Sequence, residues 1–196
     1  MVKEKKKESL LRELAEWGIV VMVILVLYLT GLHVVILGSL QSLVLKTGLF
    51  RPDIHSAVNL GQMDYNFRLM DRDGKSIDVS AFRGKVIFIN FWATWCPPCV
   101  AEMPDINRLY QKVKSEDFIF LMISVDEDFS KARHFADKRN FSLPIYTPLS
   151  AVPAVLESRV VPSTYIVAPD GRIAAKREGM ARYNSESFLN FLKNLR

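Results

Sequence analysis

The stretch Phe91-Trp92-Ala93-Thr94-Trp95-Cys96-Pro97-Pro98-Cys99 holds the only two cysteines of this 196-residue chain, separated by two residues. The run before it, residues 85–91, is short, β-branched and aromatic, which predicts a buried strand. After it, apolar residues recur at three- and four-residue steps and predict an amphipathic helix: Val100, Met103, Ile106, Leu109, Tyr110 and Val113. The two cysteines therefore stand where a strand gives way to a helix.

The first turn of this predicted helix determines the chemistry expected of the cysteines. Pro97 suits that turn, because the N–H that proline lacks would have no partner there, and Cys96 then becomes the capping residue. A thiol at a helix N-terminus faces unpaired N–H groups and the positive end of the helix dipole, which both favour the thiolate. Cys99 follows one turn later and is expected to be more buried. We therefore predict a redox-active disulfide with Cys96 as the nucleophile and Cys99 as the resolving thiol.

Two other uses of a cysteine pair are weaker. Tetrahedral zinc needs four ligands, and the chain offers no other cysteine and only three scattered histidines, His33, His55 and His134. An inert disulfide that closes so short a loop would restrict the unfolded chain little. Neither a metal nor another cofactor is therefore expected.

Together with Ala101-Glu102-Met103-Pro104, the cysteine stretch resembles the TlpA/ResA/DsbE-like branch of the thioredoxin superfamily, whose members are membrane-tethered thiol-disulfide oxidoreductases. The resemblance extends over residues 59–196. It implies a thioredoxin-like α/β fold, with a central mixed sheet flanked by helices. It also implies that Val161-Pro162-Ser163-Thr164 is the loop whose cis-proline lies beside the dithiol. The alternatives for the cis-proline are Pro144, Pro148 and Pro153, and Pro162 is preferred because a strand and an Asp-Gly turn follow it directly.

The same resemblance implies which residues contact the substrate. Val161 and Pro162 are expected to offer main-chain groups to a substrate strand that is held in a mixed disulfide. Trp95 is a rigid aromatic residue next to the nucleophile, so it is expected to contribute to the contact surface. The predicted substrate-contacting set is Trp95, Pro97, Pro98, Val161 and Pro162.

Glu102 is the residue expected to carry protons. Thioredoxin itself has a buried aspartate on the strand before the dithiol, where this chain has Asn90, whose amide cannot shuttle a proton. As in the membrane-tethered branch, the role passes to Glu102, which follows Cys99 by three residues and so shares its helical face. Burial near a thiol would raise the pKa of Glu102 and suit it to acid–base exchange with Cys99. The alternative is an acidic residue that only complements the helix dipole.

The N-terminal region is dominated by residues 17–45, which include no Asp, Glu, Lys or Arg. A spanning helix needs about 20 mostly apolar residues, and this run supplies them. A cleaved signal peptide has an apolar core of about 7–15 residues followed by a small-residue cleavage site. This run is longer, and Leu37-Gly38-Ser39-Leu40 is a poor cleavage site. The run is therefore predicted to be an uncleaved signal-anchor.

Basic residues set the predicted orientation, because five of them precede the span while only Lys46 and Arg51 follow it closely. The N-terminus is expected in the cytoplasm and the dithiol domain in the periplasm, on the outer side of a bacterial cytoplasmic membrane. The net charge of +5 and the pI near 9.2 then reflect topology and anionic lipid rather than nucleic acid. The predicted organisation has four parts: a cytoplasmic basic tail (1–17), a single transmembrane anchor (18–40), a tether (41–62) and the thioredoxin-like domain (63–196).

Other elements of the domain follow from the remaining pattern. Residues 65–78 predict a small hairpin, and residues 117–125 predict an apolar strand that is covered on both faces. A helix over 130–138 would return the chain, so two parallel strands are expected. Residues 163–177 predict a second hairpin. The last helix, over 185–195, is expected to bury four apolar residues: Phe188, Leu189, Phe191 and Leu192.

These observations predict a membrane-anchored, extracytoplasmic thiol-disulfide oxidoreductase that works as a reductant. Reduced Cys96 would attack a protein disulfide, and Cys99 would then release the client while the pair becomes oxidised. Because the outer compartment is oxidising, the resemblance implies a membrane thiol-electron transporter that recharges the dithiol. Family clients include apocytochrome c before haem attachment, which would place the protein in cytochrome c biogenesis.

Two alternatives use the same scaffold. A peroxiredoxin-like thiol peroxidase has its catalytic cysteine three residues after a threonine, whereas Thr94 precedes Cys96 by two. A non-enzymatic copper-binding module has cysteines separated by three residues and a distal histidine, for which His134 is the candidate. Assays of peroxide consumption and of copper binding distinguish these two alternatives from a thiol-disulfide oxidoreductase.

Overall fold

The computed structural model describes residues 2–30, 34, 36, 38, 41 and 60–196. His33, His55 and most of the predicted tether therefore lie outside the described residues. Helix α1 runs over Val2–Leu29 and so joins the predicted cytoplasmic tail to the first half of the predicted anchor. Within the described ranges, we find no helix that combines the length and the apolar character needed to cross a membrane.

Seven strands form one mixed sheet within residues 60–196. Their bounds are β1 (Arg68–Asp71), β2 (Ser76–Asp78), β3 (Val86–Trp92), β4 (Phe118–Ser124), β5 (Ile145–Pro148), β6 (Ser163–Val167) and β7 (Ile173–Glu178). The strand order across the sheet is β2-β1-β5-β4-β3-β6-β7. The predicted hairpins are both present, as the antiparallel pairs β1–β2 and β6–β7.

The centre of the sheet is parallel. Strand β3 pairs with β4, with Val86 opposite Phe118 and Trp92 opposite Ser124, and β4 pairs in parallel with β5. The carboxyl ends of β3 and β4 therefore meet at one edge of the sheet, and the segments that follow both strands come close together there. Strand β5 was not predicted, because four residues that end in Pro148 carry too little periodicity to be recognised.

Three α-helices complete the domain: α2 (Pro97–Val113), α3 (Phe129–Lys138) and α4 (Glu186–Asn194). Their apolar residues pack with one face of the central strands, in a cluster that includes Phe88, Met103 and Phe120. The other face is covered by residues from the N-terminal hairpin and its flanks, among them Phe67 and Leu69. Both faces of β4 are thus covered, as its continuous apolar sequence predicts.

Helix α4 corrects one detail of the predicted core. Phe188 and Leu192 are buried, with 2% and 1% of their surfaces exposed. Leu189 and Phe191 are only partly buried and pack against the edge of the core cluster. The helix is short, and only one stripe of it faces the sheet, so four apolar residues cannot all be covered.

Candidate active site

The junction of β3 and α2 places the two cysteines. All seven residues of β3 are buried, which fixes the end of the strand in the core. Cys96 has extended backbone angles and caps α2, while Pro97 and Pro98 occupy the first two helical positions. Cys96 and Cys99 form a disulfide, and Cys96 Sγ accepts a hydrogen bond from the Cys99 N–H at 3.3 Å. The sulfur of Cys96 therefore sits where the helix offers unpaired donors to a developing thiolate.

The loop before β6 forms the opposite wall of the site. The peptide bond between Val161 and Pro162 is cis, as the sequence resemblance implies for this position. The carbonyl oxygen of Val161 lies 3.7 Å from Cys96 Sγ. Cys96 retains 4% exposure, whereas Cys99 is completely buried, in the order predicted from their positions. An incoming disulfide can thus reach only Cys96, from the side of the Val161–Pro162 loop.

The predicted substrate-contacting residues differ in accessibility. Trp95 is 59% exposed beside Cys96, and Val160, just before the cis-proline loop, is 48% exposed. Pro97, Pro98 and Val161 are partly exposed, whereas Pro162 is buried. The accessible surface near Cys96 is therefore apolar on both sides, which suits an unfolded or extended protein segment.

Glu102 lies inside the domain, on the second turn of α2. Its Oε1 accepts a hydrogen bond from the side-chain amide of Asn90 at 2.9 Å, and its Oε2 accepts one from the backbone N–H of Ala181 at 3.1 Å. Complete burial raises the pKa of Glu102 to about 8, although both hydrogen bonds act in the opposite direction. A carboxyl group with this pKa can both give and accept a proton near neutral pH.

A buried polar network connects Glu102 to the C-terminal part of the domain. Asn90 also donates to Thr164 Oγ1 at 2.9 Å, and the Tyr183 hydroxyl donates to the same oxygen at 2.7 Å. Burial, with the charge of Glu102 as the next cause, raises the pKa of Tyr183 well above its ordinary value. Asn90 therefore orients Glu102 through hydrogen bonds and does not itself titrate.

Another buried carboxylate, Asp126, lies at the edge of the sheet where β3 and β4 end, and the sequence pattern did not single it out. Its oxygens accept from the Thr94 N–H at 3.2 and 3.1 Å, from the Thr94 hydroxyl at 2.7 Å and from the Ser124 hydroxyl at 2.8 Å. An acidic residue just after a buried parallel strand is a signal that could have located it, because ligand sites gather at the carboxyl edge of such sheets.

The two alternative functions gain no support from the residues that they need. A thiol peroxidase of this fold would use a threonine near its cysteine, but the hydroxyl of Thr94 donates a hydrogen bond to Asp126. His134 lies on α3 and lines a surface cavity of about 380 Å³ to which neither cysteine contributes. Among the described residues, no group of three or more His, Cys, Asp and Glu side chains is arranged to hold a metal ion.

A dithiol that caps a helix beside a cis-proline loop, on a central mixed sheet, defines a thioredoxin-like thiol-disulfide oxidoreductase. The chain belongs to the Redoxin family, whose model matches residues 59–181. It is 31% identical over 141 residues to the thiol-disulfide oxidoreductase ResA of Halalkalibacterium halodurans, covering 70% of this chain and 80% of the relative. With ResA of Bacillus subtilis it shares 30% identity over 132 residues, which cover 65% and 73% of the two chains.

Solved structures agree on the fold. A candidate DsbE thiol:disulfide interchange protein from Chlorobium tepidum superposes with a TM-score of 0.59 at 22% identity, over 70% of this chain and all of the other. A candidate thiol-disulfide oxidoreductase from Bacteroides vulgatus gives a TM-score of 0.57 at 26% identity, over 71% of this chain and all of the other. These structures agree with the fold, and the ResA relatives show that the protein is a thiol-disulfide oxidoreductase.

Proposed function

We propose that the protein is a membrane-anchored reductant that opens disulfides of exported proteins outside the cytoplasm. The observation that carries the proposal is the position of Cys96: it caps α2, faces the cis-proline loop and adjoins the exposed Trp95. This arrangement gives one accessible sulfur to a protein client and keeps the second sulfur inside. The ResA relatives support the same type of exchange chemistry.

In the reductive direction, the Cys96 thiolate attacks one sulfur of a client disulfide. A bond forms between Cys96 Sγ and that sulfur, and the other client cysteine leaves as a thiolate that takes up a proton. The N-terminal dipole of α2 and the Cys99 N–H stabilise the attacking thiolate. The client segment lies between Trp95 and Val161, whose main chain borders the reacting sulfur.

Cys99 then completes the turnover. It loses its proton and attacks Cys96 Sγ, which restores the protein disulfide and releases the second client cysteine as a thiolate. Glu102 is the proposed acceptor of the Cys99 proton, because burial raises its pKa to about 8 and so makes its ionised form a base strong enough to take a proton from a thiol. Two electrons have then passed from the dithiol to the client. A membrane thiol-electron transporter would return them from the cytoplasm, and apocytochrome c is a candidate client.

The direction of transfer is tested by equilibrating the full chain with glutathione and glutathione disulfide. A reductant is expected to remain largely oxidised in buffers where a disulfide-forming enzyme would become reduced, because its dithiol gives up electrons readily. If the Cys96–Cys99 disulfide is reduced more easily than glutathione disulfide, the protein would instead form disulfides in its clients. The Cys96→Ser variant is the blank, since it cannot form the intramolecular disulfide.

We also propose that residues 18–40 anchor the protein in the bacterial cytoplasmic membrane, with residues 1–17 in the cytoplasm and the domain outside. Two observations support this arrangement: the uncharged run over 17–45, and the exposure of the large apolar side chains along the second half of α1. Such a surface is expected to be covered by lipid. The basic residues before the run set the direction.

A pair of reporter fusions tests this topology. A reporter that is active only outside the cytoplasm is expected to work when fused after Arg196 and to fail when fused before Met1. Activity from the N-terminal fusion alone would place the dithiol in the cytoplasm and contradict the proposal. Release of the full chain from membranes by salt or alkali would contradict the anchor but leave the exchange chemistry intact.

A further inference from the structure

Asp126 is a buried carboxylate that the exchange chemistry described above does not use. Only 7% of the residue is exposed, and the donors that bind its oxygens are a backbone N–H and two hydroxyls. All three donors are uncharged, so they hold the carboxylate in place without neutralising it. A buried charge is costly unless it is well hydrogen-bonded, and this one is satisfied by donors from two separate segments.

The sheet explains why Asp126 meets the active-site loop. Strands β3 and β4 run in parallel and end in register, and the Val125 N–H continues the ladder by donating to the Trp92 carbonyl at 2.9 Å. Asp126, the residue after Val125, therefore meets the loop that leaves β3. Asp126 binds Thr94 through both its N–H and its hydroxyl, and the Cys96 N–H closes a turn on the Ala93 carbonyl at 3.3 Å.

Because Asp126 binds Thr94 directly and Cys96 is only two residues further on, the carboxylate lies roughly 10 Å from the nucleophile. A negative charge at that distance disfavours a second negative charge on Cys96 Sγ. It acts against the helix dipole, which favours the thiolate. Any group that disfavours the thiolate destabilises the reduced dithiol relative to the disulfide, and makes the couple a stronger reductant.

We propose that Asp126 is a positioning residue that fixes a negative charge against the turn before Cys96 and thereby biases the dithiol toward donating electrons. The proposal rests on the reductant role above and adds a residue that sets its strength. The helix dipole favours the thiolate and therefore the reduced dithiol. The carboxylate at the carboxyl edge of β4 offsets that effect.

The test measures one equilibrium, in which the oxidised protein and two glutathiones give the reduced protein and glutathione disulfide. Asp126→Asn keeps the shape of the side chain but removes its charge. We expect the equilibrium constant to rise about three- to tenfold toward the reduced protein, the size expected for one charge at this distance with partial solvent screening. The rate of Cys96 alkylation at a fixed mildly acidic pH should rise in the same direction, because more thiolate is present.

Two matched variants separate charge from geometry. Glu127→Gln removes the neighbouring exposed carboxylate, which solvent screens, and is expected to change the constant less than twofold. Thr94→Val removes one donor but leaves the charge, so the constant should not rise. An increase below threefold in Asp126→Asn, or an equal increase in Glu127→Gln, overturns the proposal.

A threefold or larger increase in Thr94→Val also overturns it, because the geometry of the turn would then set the equilibrium. Such an increase in Thr94→Val would overturn the proposal even if the Asp126→Asn variant does not fold. The wild-type constant by itself tests the reductant role, whereas the ratios of variant to wild type test Asp126. The two ideas can therefore fail separately.

Discussion

The disulfide has an accessible side and a buried side, and the chain supplies them in different ways. The accessible side consists of Trp95, Cys96 and Val161, where a client can approach. The buried side consists of Asn90, Cys99, Glu102, Thr164 and Tyr183, all of which have 2% or less of their surface exposed. Under the proposed function, the first side selects and attacks the client, and the second side controls protons and holds the site together. Substitutions on the two sides should therefore change different measurements.

The largest expected effect separates the two cysteines. Cys96→Ser should reduce disulfide exchange to the background rate, because no accessible sulfur remains. Cys99→Ser should still attack but should accumulate mixed disulfides with its clients, since nothing resolves them. Non-reducing electrophoresis of the two variants after incubation with a disulfide-bonded client checks this. If mixed disulfides accumulated on the Cys96→Ser variant instead, Cys99 would be the nucleophile and Cys96 the resolving thiol.

The next effect concerns Glu102 and pH. Its pKa of about 8 in the folded protein exceeds the ordinary value of 4.5, so the folded state favours the protonated carboxyl. The contribution of Glu102 to stability is fully present below pH 4.5 and is lost as the pH rises through 8, with a slope of at most about 1.4 kcal/mol per pH unit. Glu102→Gln should remove this slope and slow the resolution of the mixed disulfide.

Chemical denaturation between pH 5 and 9, together with the resolution rate, measures both effects of Glu102→Gln. The matched control is Asp105→Asn, one turn further along α2, which removes a carboxylate that binds the Asn184 N–H but leaves Glu102 in place. Because the charge of Asp105 is a smaller cause of the raised Glu102 pKa than burial, this variant should retain most of the slope. If Glu102→Gln also retains the slope and the wild-type resolution rate, Glu102 has no part in proton transfer, and Asn90 with water is the remaining route.

The accessible side could be predicted from sequence because its residues are neighbours in the chain. Cys96, Pro97 and Cys99 determine their own geometry through the first turn of α2, and the cis-proline loop was located from its local motif. The buried side depends on distant residues: the N–H that binds Glu102 belongs to Ala181, 79 positions away. Asp126 is similarly 32 positions from Thr94. No local periodicity records such pairs, so only their types and strand positions could have suggested them.

Trp95 tests whether the accessible side recognises clients. Trp95→Ala should lower kcat/KM for protein disulfides roughly tenfold, the loss typical of one aromatic contact residue, and should leave exchange with a small aromatic disulfide little changed. Stability should stay within about 0.5 kcal/mol, because the side chain is mostly exposed. Leu149→Ala is a matched control, because it removes a 46%-exposed apolar side chain on a separate loop. Equal losses for both substrates would indicate that Trp95 affects Cys96 itself.

The smallest expected effect lies at the far end of the buried network. Tyr183→Phe removes the hydroxyl that donates to Thr164 Oγ1, and that oxygen keeps its second donor, Asn90. The cost should therefore be the net value of one hydrogen bond, about 1 kcal/mol, rather than the larger penalty for an unpaired buried group. Because Asn90 and Ala181 still bind Glu102, the pH slope of stability should be unchanged.

Tyr165→Phe, which removes a hydroxyl that donates to the Glu157 carbonyl outside the network, is the control. Loss of the pH slope in Tyr183→Phe alone would show that the network, and not burial by itself, sets the protonation of Glu102.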